Sequence, residues 1–415
     1  MSLPIKTLPI LERWDCSACG NCCRGSVIPL SDDDLKRLER QNWRAHPNFA
    51  GVKPVVPQTW FGKRQQLAQR EDGSCVFLTA DNHCQIHAEH GADAKPLVCQ
   101  MYPLQLVPQE NKAILTLRRS CPSAAAEEGR ELKDHLDAVK RLAKQGQLLD
   151  KTVRAPRITG RYGGTWKETL SVTNVLERLL TDQRYPLVRR LAHGVKFCTL
   201  LDENHLDRLD EARTKEVLTI FEEASIEAVA HVFRDRQPPS ATTGPMFRQT
   251  AAEYVRLHSQ YRAQNMWQAR WLLARAAVGF ARGRGHVPPL HPSLPAVTFA
   301  ELEEPLGALS AEVQQPLVRF FEANACSLQY VTAARRRWAV TEAFRAMALA
   351  YPVALWLLRW CAAGREPTTA DVVEAVTIID RGQGYESLVG GQHRRRVSMI
   401  CRDEGLERLI GWYAR

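Results

Sequence analysis

The sequence predicts a mainly α protein. A small α+β, cysteine-rich, metal-binding domain over residues 1–125 is followed by an all-helical domain over 126–415. Three observations carry that expectation. Eight of the twelve cysteines, at positions 16, 19, 22, 23, 75, 84, 99 and 121, fall in the first third of the chain. The apolar runs before residue 125 are short and broken by turn residues. Beyond residue 125, apolar side chains recur every three or four positions and strand-like alternation nearly disappears.

At 415 residues the chain is long for one core, which argues for two or three domains. The hydrophobic share of 45% and charged share of 25% are those of an ordinary globular protein, and no repeat period is visible. The net charge of +10 is compatible with an acidic or nucleic-acid partner but is read as a solvated basic surface. Residues 1–11 hold one lysine and no long apolar run, so no secretory signal is expected. The longest apolar stretch, residues 347–358, contains Pro352 and is too short for a bilayer of ~30 Å. The expected location is therefore cytoplasmic, with no membrane association. In that reducing compartment clustered thiols serve as metal ligands or redox groups rather than disulfides.

After a short lead-in comes Cys16-Ser17-Ala18-Cys19-Gly20-Asn21-Cys22-Cys23, where Gly20 and Gly25 give the backbone freedom to wrap around an ion or cluster. Ser31 with Asp34 reads as a capping box opening a helix, which ends before His46-Pro47. Residues 47–74 look irregular. Residues 75–78 and 84–87 are short strand candidates around a turn at 80–83, and a helical turn is expected near Pro96. Residues 104–107 and 113–117 should form a hairpin. Such a domain buries little apolar surface and would benefit from a metal staple.

The helical part opens with a charged segment at 127–144 and a glycine-rich break at 156–166. Val172, Val175, Leu176 and Leu179 then mark one helix face, and Leu187, Leu191, Val195 and Cys198 the next. A helix over 213–234 ends at Pro238-Pro239, and a long one runs from Tyr254 to about Arg282. Val340, Phe344, Met347, Ala348 and Tyr351 form a wide apolar face before Pro352 kinks or breaks the run. Thr368 with Asp371 is a second capping box, leading into Val372, Val376 and Ile379. The last helix begins near His393.

The thiols carry the chemistry. Cysteines two residues apart bend onto one metal, because the short loop brings both sulfurs to the same side; here two such units share Cys19. The expected metal ligands are Cys16, Cys19, Cys22, Cys23, Cys75, Cys84, Cys99 and Cys121, holding zinc or an iron–sulfur cluster. Adjacent Cys22 and Cys23 are expected to point apart and to serve different ions or roles. Eight thiols make two four-ligand sites, or one cluster takes four while the others are redox-active or structural. His83, His87 and His90 are read as loop histidines, and Cys198, Cys326, Cys361 and Cys401 as packing residues.

The run from Cys16 through Arg24 resembles the signature of the CxxCxxCC cysteine-cluster family, the YkgJ-type zinc- or iron-chelating proteins. The match continues through Cys75-Val76-Phe77-Leu78, Cys84 after eight intervening residues, Lys95-Pro96-Leu97-Val98-Cys99-Gln100-Met101-Tyr102-Pro103, and Cys121. It covers roughly residues 14–123. That family also includes flagellin lysine-N-methylases, which this chain resembles in architecture and length. The resemblance implies a 4Fe-4S cluster, S-adenosylmethionine as methyl donor and a protein lysine as acceptor. The residues themselves show no strand followed by a glycine-rich methyltransferase loop; the glycines at 163–164 and at 283 and 285 read as turns. Two other functions stay open. One is a non-enzymatic metal-binding or metal-handling module with a helical partner-binding region. The other is a zinc-stapled nucleic-acid-binding protein, suggested by Arg335-Arg336-Arg337 and by His393-Arg394-Arg395-Arg396.

Overall fold

The computed structural model describes residues 3–58, 64–150, 153–258, 266–291, 293–333, 338–383 and 390–415. It is mainly helical, with a small α+β region at the N-terminus, as expected. Strands Leu104–Pro108 and Ala113–Leu117 form the anticipated antiparallel hairpin, and Ile5–Thr7 joins Ala113–Leu117 in parallel. Every residue of Ala113–Leu117 is buried. One side of the sheet packs Leu115 and Leu117 with Met101, Leu132 and Val139. The other sets Val107 and Ile114 against Ala323 of the helical region. A strand covered on both sides needs a continuous apolar run, and Ala113-Ile114-Leu115-Thr116-Leu117 nearly is one. A second small sheet orders Pro29–Leu30, Gln65–Leu67 and Val55–Pro57, the last two strands lying within the 47–74 stretch expected to be irregular.

The capping box at Ser31 and Asp34 is present, and helix Asp32–Arg40 follows it. Buried Asp34 also accepts a hydrogen bond from Leu97 N at 2.9 Å, tying this helix to the segment that carries Cys99. The strand expectation for residues 75–78 and 84–87 fails. Leu78 N donates to Cys75 O at 3.0 Å in a turn, the runs make only isolated bridges, Cys75 to Gln69 and Leu78 to Cys84, and Gln85–His90 is helical. The runs are too short to sustain a ladder, so local turn and helix bonds satisfy their backbone.

The predicted faces on helices Trp166–Thr181 and Leu187–Glu203 are all buried. The expected 213–234 helix is two helices, Glu211–Ala228 and Ala230–Asp235. Thr243–His258 and Met266–Arg282 stand where one long helix was expected, and the junction between them lies outside the described residues. Helix Val340–Ala362 runs unbroken through Pro352. Nineteen of its 23 residues are buried, so packing on all sides outweighs the hydrogen bond lost at the proline. Among the described residues no helix is long and apolar enough to cross a membrane.

Helix Gly405–Tyr413 closes the chain and buries Glu407, whose Oε2 has no hydrogen-bond partner among the described residues. Burial pushes its carboxyl up from 4.5 to about 7, partly offset by Arg345 and Lys196, with Glu404 adding to the rise. The folded chain thus holds this proton more tightly than the unfolded chain. The associated stability is complete below the unfolded value of 4.5 and is lost as pH rises through about 7. Glu407→Gln is expected to remove a decline on the order of 3 kcal/mol across that window. Urea midpoints measured at several pH values check this; an unchanged slope in the variant contradicts it.

Candidate metal centre

The thiol loop is held at both ends. Before it, Trp14 N and Asp15 N donate to Arg130 O and Glu128 O, each at 2.9 Å. Gly20 then adopts a positive φ of 71°, and Cys23 N closes a 3-10 turn on Gly20 O at 3.0 Å. A Cβ at residue 20 would meet Asn82 at 3.1 Å, so both conformation and space call for glycine. After the turn, Cys75 N donates to Cys23 O at 2.7 Å, joining the second cysteine segment to the first. Cys84 caps helix Gln85–His90, Cys99 lies within helix Leu97–Met101, and Cys121 caps helix Pro122–Ala125. Asn21 Nδ2 donates to Ser120 O at 3.3 Å and draws the last cysteine segment onto the first.

These contacts bring all eight sequence-predicted cysteines to the wall of one cavity of about 710 Å³. Cys16, Cys19 and Cys22 are exposed, Cys75 is buried, and the others are half-buried. The expectation that Cys22 and Cys23 point apart is not met, because their Sγ atoms lie 3.9 Å apart. The tight 3-10 turn keeps both sulfurs on the cavity side. Across the cavity the arrangement is more open. Among the described residues no group of three His, Cys, Asp or Glu side chains converges on one ion position.

Cys22 lies close to several of the other cysteines. Its thiol is an electrostatic neighbour of Cys75, Cys99 and Cys121. Burial pushes Cys75 up to about 11, and the nearby Cys84 and Cys22 thiols push the same way. Cys121 rises to about 11 through burial, with Cys19 and Cys22 adding to it. Burial also raises Cys99, and the hydrogen bond with Cys23, followed by burial, raises Cys22. Lys95 opposes the rise at both. Such thiols stay protonated at neutral pH until a cation supplies the compensating charge. The donor set fits a thiophilic metal. The wall carries eight sulfurs with His83 and His87 and no carboxylate, a composition that selects zinc or iron–sulfur chemistry over magnesium or calcium.

His90 instead packs edge-on against Trp43 at 5.3 Å. Cys198, Cys326, Cys361 and Cys401 lie apart from the thiol cavity, and Cys198 is fully buried in the helical core. Arg335-Arg336-Arg337 lies outside the described residues. In the second basic run, buried His393 stacks on Trp338, Arg394 pairs with Glu342 at 2.7 Å, and Arg396 pairs with Glu253 at 2.7 Å.

Sequence reasoning missed the clamp that joins this site to the helical region. Helix Thr369–Gln383, capped by Thr368 and Asp371 as expected, ends in buried Asp380 and Arg381. Asp380 Oδ2 accepts from Ser120 N at 2.7 Å and from Arg118 Nε at 2.9 Å. Arg381 Nη2 donates to Arg24 O at 2.5 Å and to Ser26 Oγ at 3.0 Å. Consecutive residues of one helix therefore hold the chain beside Cys121 and beside Cys23. Nothing local at residues 380–381 signals this role, because the partners lie more than 250 positions away. Lys95 lay inside a recognised motif, yet only the fold shows it at the cavity wall.

A small α+β region here presents a cavity wall built of thiols. Residues 15–122 match the model of the CxxCxxCC family, described as a putative zinc- or iron-chelating domain. The matched segment contains all eight cavity cysteines. No curated protein and no solved structure matches the chain.

Proposed function

We propose that the thiol cavity holds a polynuclear metal centre, an iron–sulfur cluster of the 4Fe-4S kind in preference to a single zinc ion, in a protein of the cytoplasm. The supporting observation is that eight thiols share one cavity of about 710 Å³. A single zinc ion and a 4Fe-4S cluster each take four thiolates, so the larger group is favoured by the room in the cavity, since a lone tetrahedral zinc closes tightly around itself. The bound centre supplies positive charge that keeps the thiolates ionised. The chain supplies the ring of sulfurs, and Lys95 adds a further positive charge at the wall. Anaerobic purification with iron, zinc and acid-labile sulfide analysis and a visible spectrum tests this. A brown protein with stoichiometric sulfide is expected. A colourless protein holding zinc alone overturns the cluster form, and a metal-free protein overturns the whole reading.

A second reading makes the protein a lysine N-methylase. It is supported by the pairing of a thiol-rich N-terminal region with a long helical one. In that reaction a deprotonated lysine ε-amine of a protein substrate attacks the methyl carbon of S-adenosylmethionine. The sulfur–carbon bond breaks, S-adenosylhomocysteine leaves, and the methylated amine sheds a proton to solvent or a base. Calorimetry of S-adenosylmethionine with the metal-loaded protein should then show stoichiometric binding. Its absence leaves the non-enzymatic metal-handling module. The zinc-stapled nucleic-acid reading is disfavoured because Arg394 and Arg396 are already paired with Glu342 and Glu253.

A further inference from the structure

A second cavity, of about 350 Å³, lies within the helical region and shares no lining residue with the thiol cavity. Its walls come from the loop before helix Trp166–Thr181 and from helices Leu187–Glu203, Val340–Ala362 and Gly391–Ile400. Four guanidinium groups, those of Arg161, Arg345, Arg394 and Arg402, face two carboxylates, Asp202 and Glu342. Four against two leaves two uncompensated positive charges.

Both carboxylates are already engaged. Asp202 accepts from Arg345 Nη1, and from Thr341 Oγ1 at 3.0 Å. Glu342 accepts from Arg394 Nε at 2.9 Å and from Ala339 N at 2.8 Å. These bonds, with Arg345 Nη2 donating to Thr199 Oγ1 at 3.1 Å, fix the Arg345 fork in the wall. Its Nε is buried and has no hydrogen-bond partner among the described residues. Arg161 and Arg402 are exposed at the rim and make no ion pair among the described residues. A solvated basic face would have neither concave walls nor a guanidinium oriented in advance.

We propose that this cavity binds a small dianion, a phosphate monoester or a dicarboxylate. Its charge would balance the two excess arginines, and its oxygens would take paired hydrogen bonds from the guanidinium forks. A volume near the lower end of ligand pockets, roughly 300–1,000 Å³, suits a metabolite rather than a macromolecule. The inference is independent of the metal reading.

Isothermal titration calorimetry on the full chain tests it, with inorganic phosphate and succinate as separate probes and sodium chloride at matched ionic strength as control. At least one dianion should bind. The double variant Arg161→Ala/Arg402→Ala should weaken that binding by about tenfold or more while keeping the wild-type unfolding midpoint. Binding of phosphate alone assigns the phosphate class, and binding of succinate alone the dicarboxylate class. Heat that sodium chloride reproduces, binding of neither probe, or unchanged affinity in the double variant overturns the proposal.

Discussion

Cys22→Ser is expected to strip the purified protein of most of its metal while leaving its helical signal in place. Cys22 neighbours Cys23 at 3.9 Å and influences Cys75, Cys99 and Cys121, so its loss touches several of the cavity thiols at once. A serine hydroxyl is a poor donor to zinc or iron beside thiolates. The main helical core, built on Val340–Ala362 and its neighbours, includes none of the cavity thiols. Metal loss should therefore loosen the first 125 residues and spare most of the circular dichroism. Metal analysis and limited proteolysis read out the two halves of this expectation. Cys198→Ser is the control, since that thiol is buried away from the cavity. Full metal content in Cys22→Ser would remove Cys22 from the ligand set.

Asp380→Ala is expected to cost about 3 kcal/mol of stability and to weaken metal retention about tenfold, although it removes no thiol. The carboxylate is 3% exposed and holds both Ser120 N and Arg118. Its loss leaves a buried amide donor unpaired and frees the Cys121 segment to drift from Asn21 and the first cysteine loop. Denaturant unfolding measures the first effect. The rate of metal transfer to a chelator measures the second. Asp380→Asn keeps an acceptor for Ser120 N but loses the charge facing Arg118, and should fall between wild type and alanine. Wild-type chelation kinetics in Asp380→Ala would show that the helical region does not position the site.

Much of the fold was legible where the signal is local. The capping boxes at Ser31 and Asp34 and at Thr368 and Asp371 work within a single turn, and both helices start there. The stripe of Leu187, Leu191, Val195 and Cys198 needed only its own periodicity to announce a buried face. Short elements were less legible. Residues 84–87 carry an extended-looking pattern, yet Gln85 N bonds to Phe77 O and the chain turns into a helix. Pro352 is expected to kink or break the run because a lone helix loses a hydrogen bond at a missing amide, and the break does not occur. Inside a packed bundle that penalty is small beside the apolar burial of Trp356, Trp360 and their neighbours.

Residue chemistry alone carried the thiophilic character of the site and the eight cysteines that now line one cavity, because spacing and side-chain softness are properties of the chain. Tertiary structure decided the rest. It turned Cys22 and Cys23 to the same side and brought the separate thiol segments to one cavity. It also set Asp380 and Arg381 as a clamp on the segments beside Cys121 and Cys23, and gathered four arginines from three parts of the chain around a second cavity. The reason is physical. Ligand identity resides in single side chains, whereas convergence depends on contacts between residues far apart in sequence, made only when the core they share is packed.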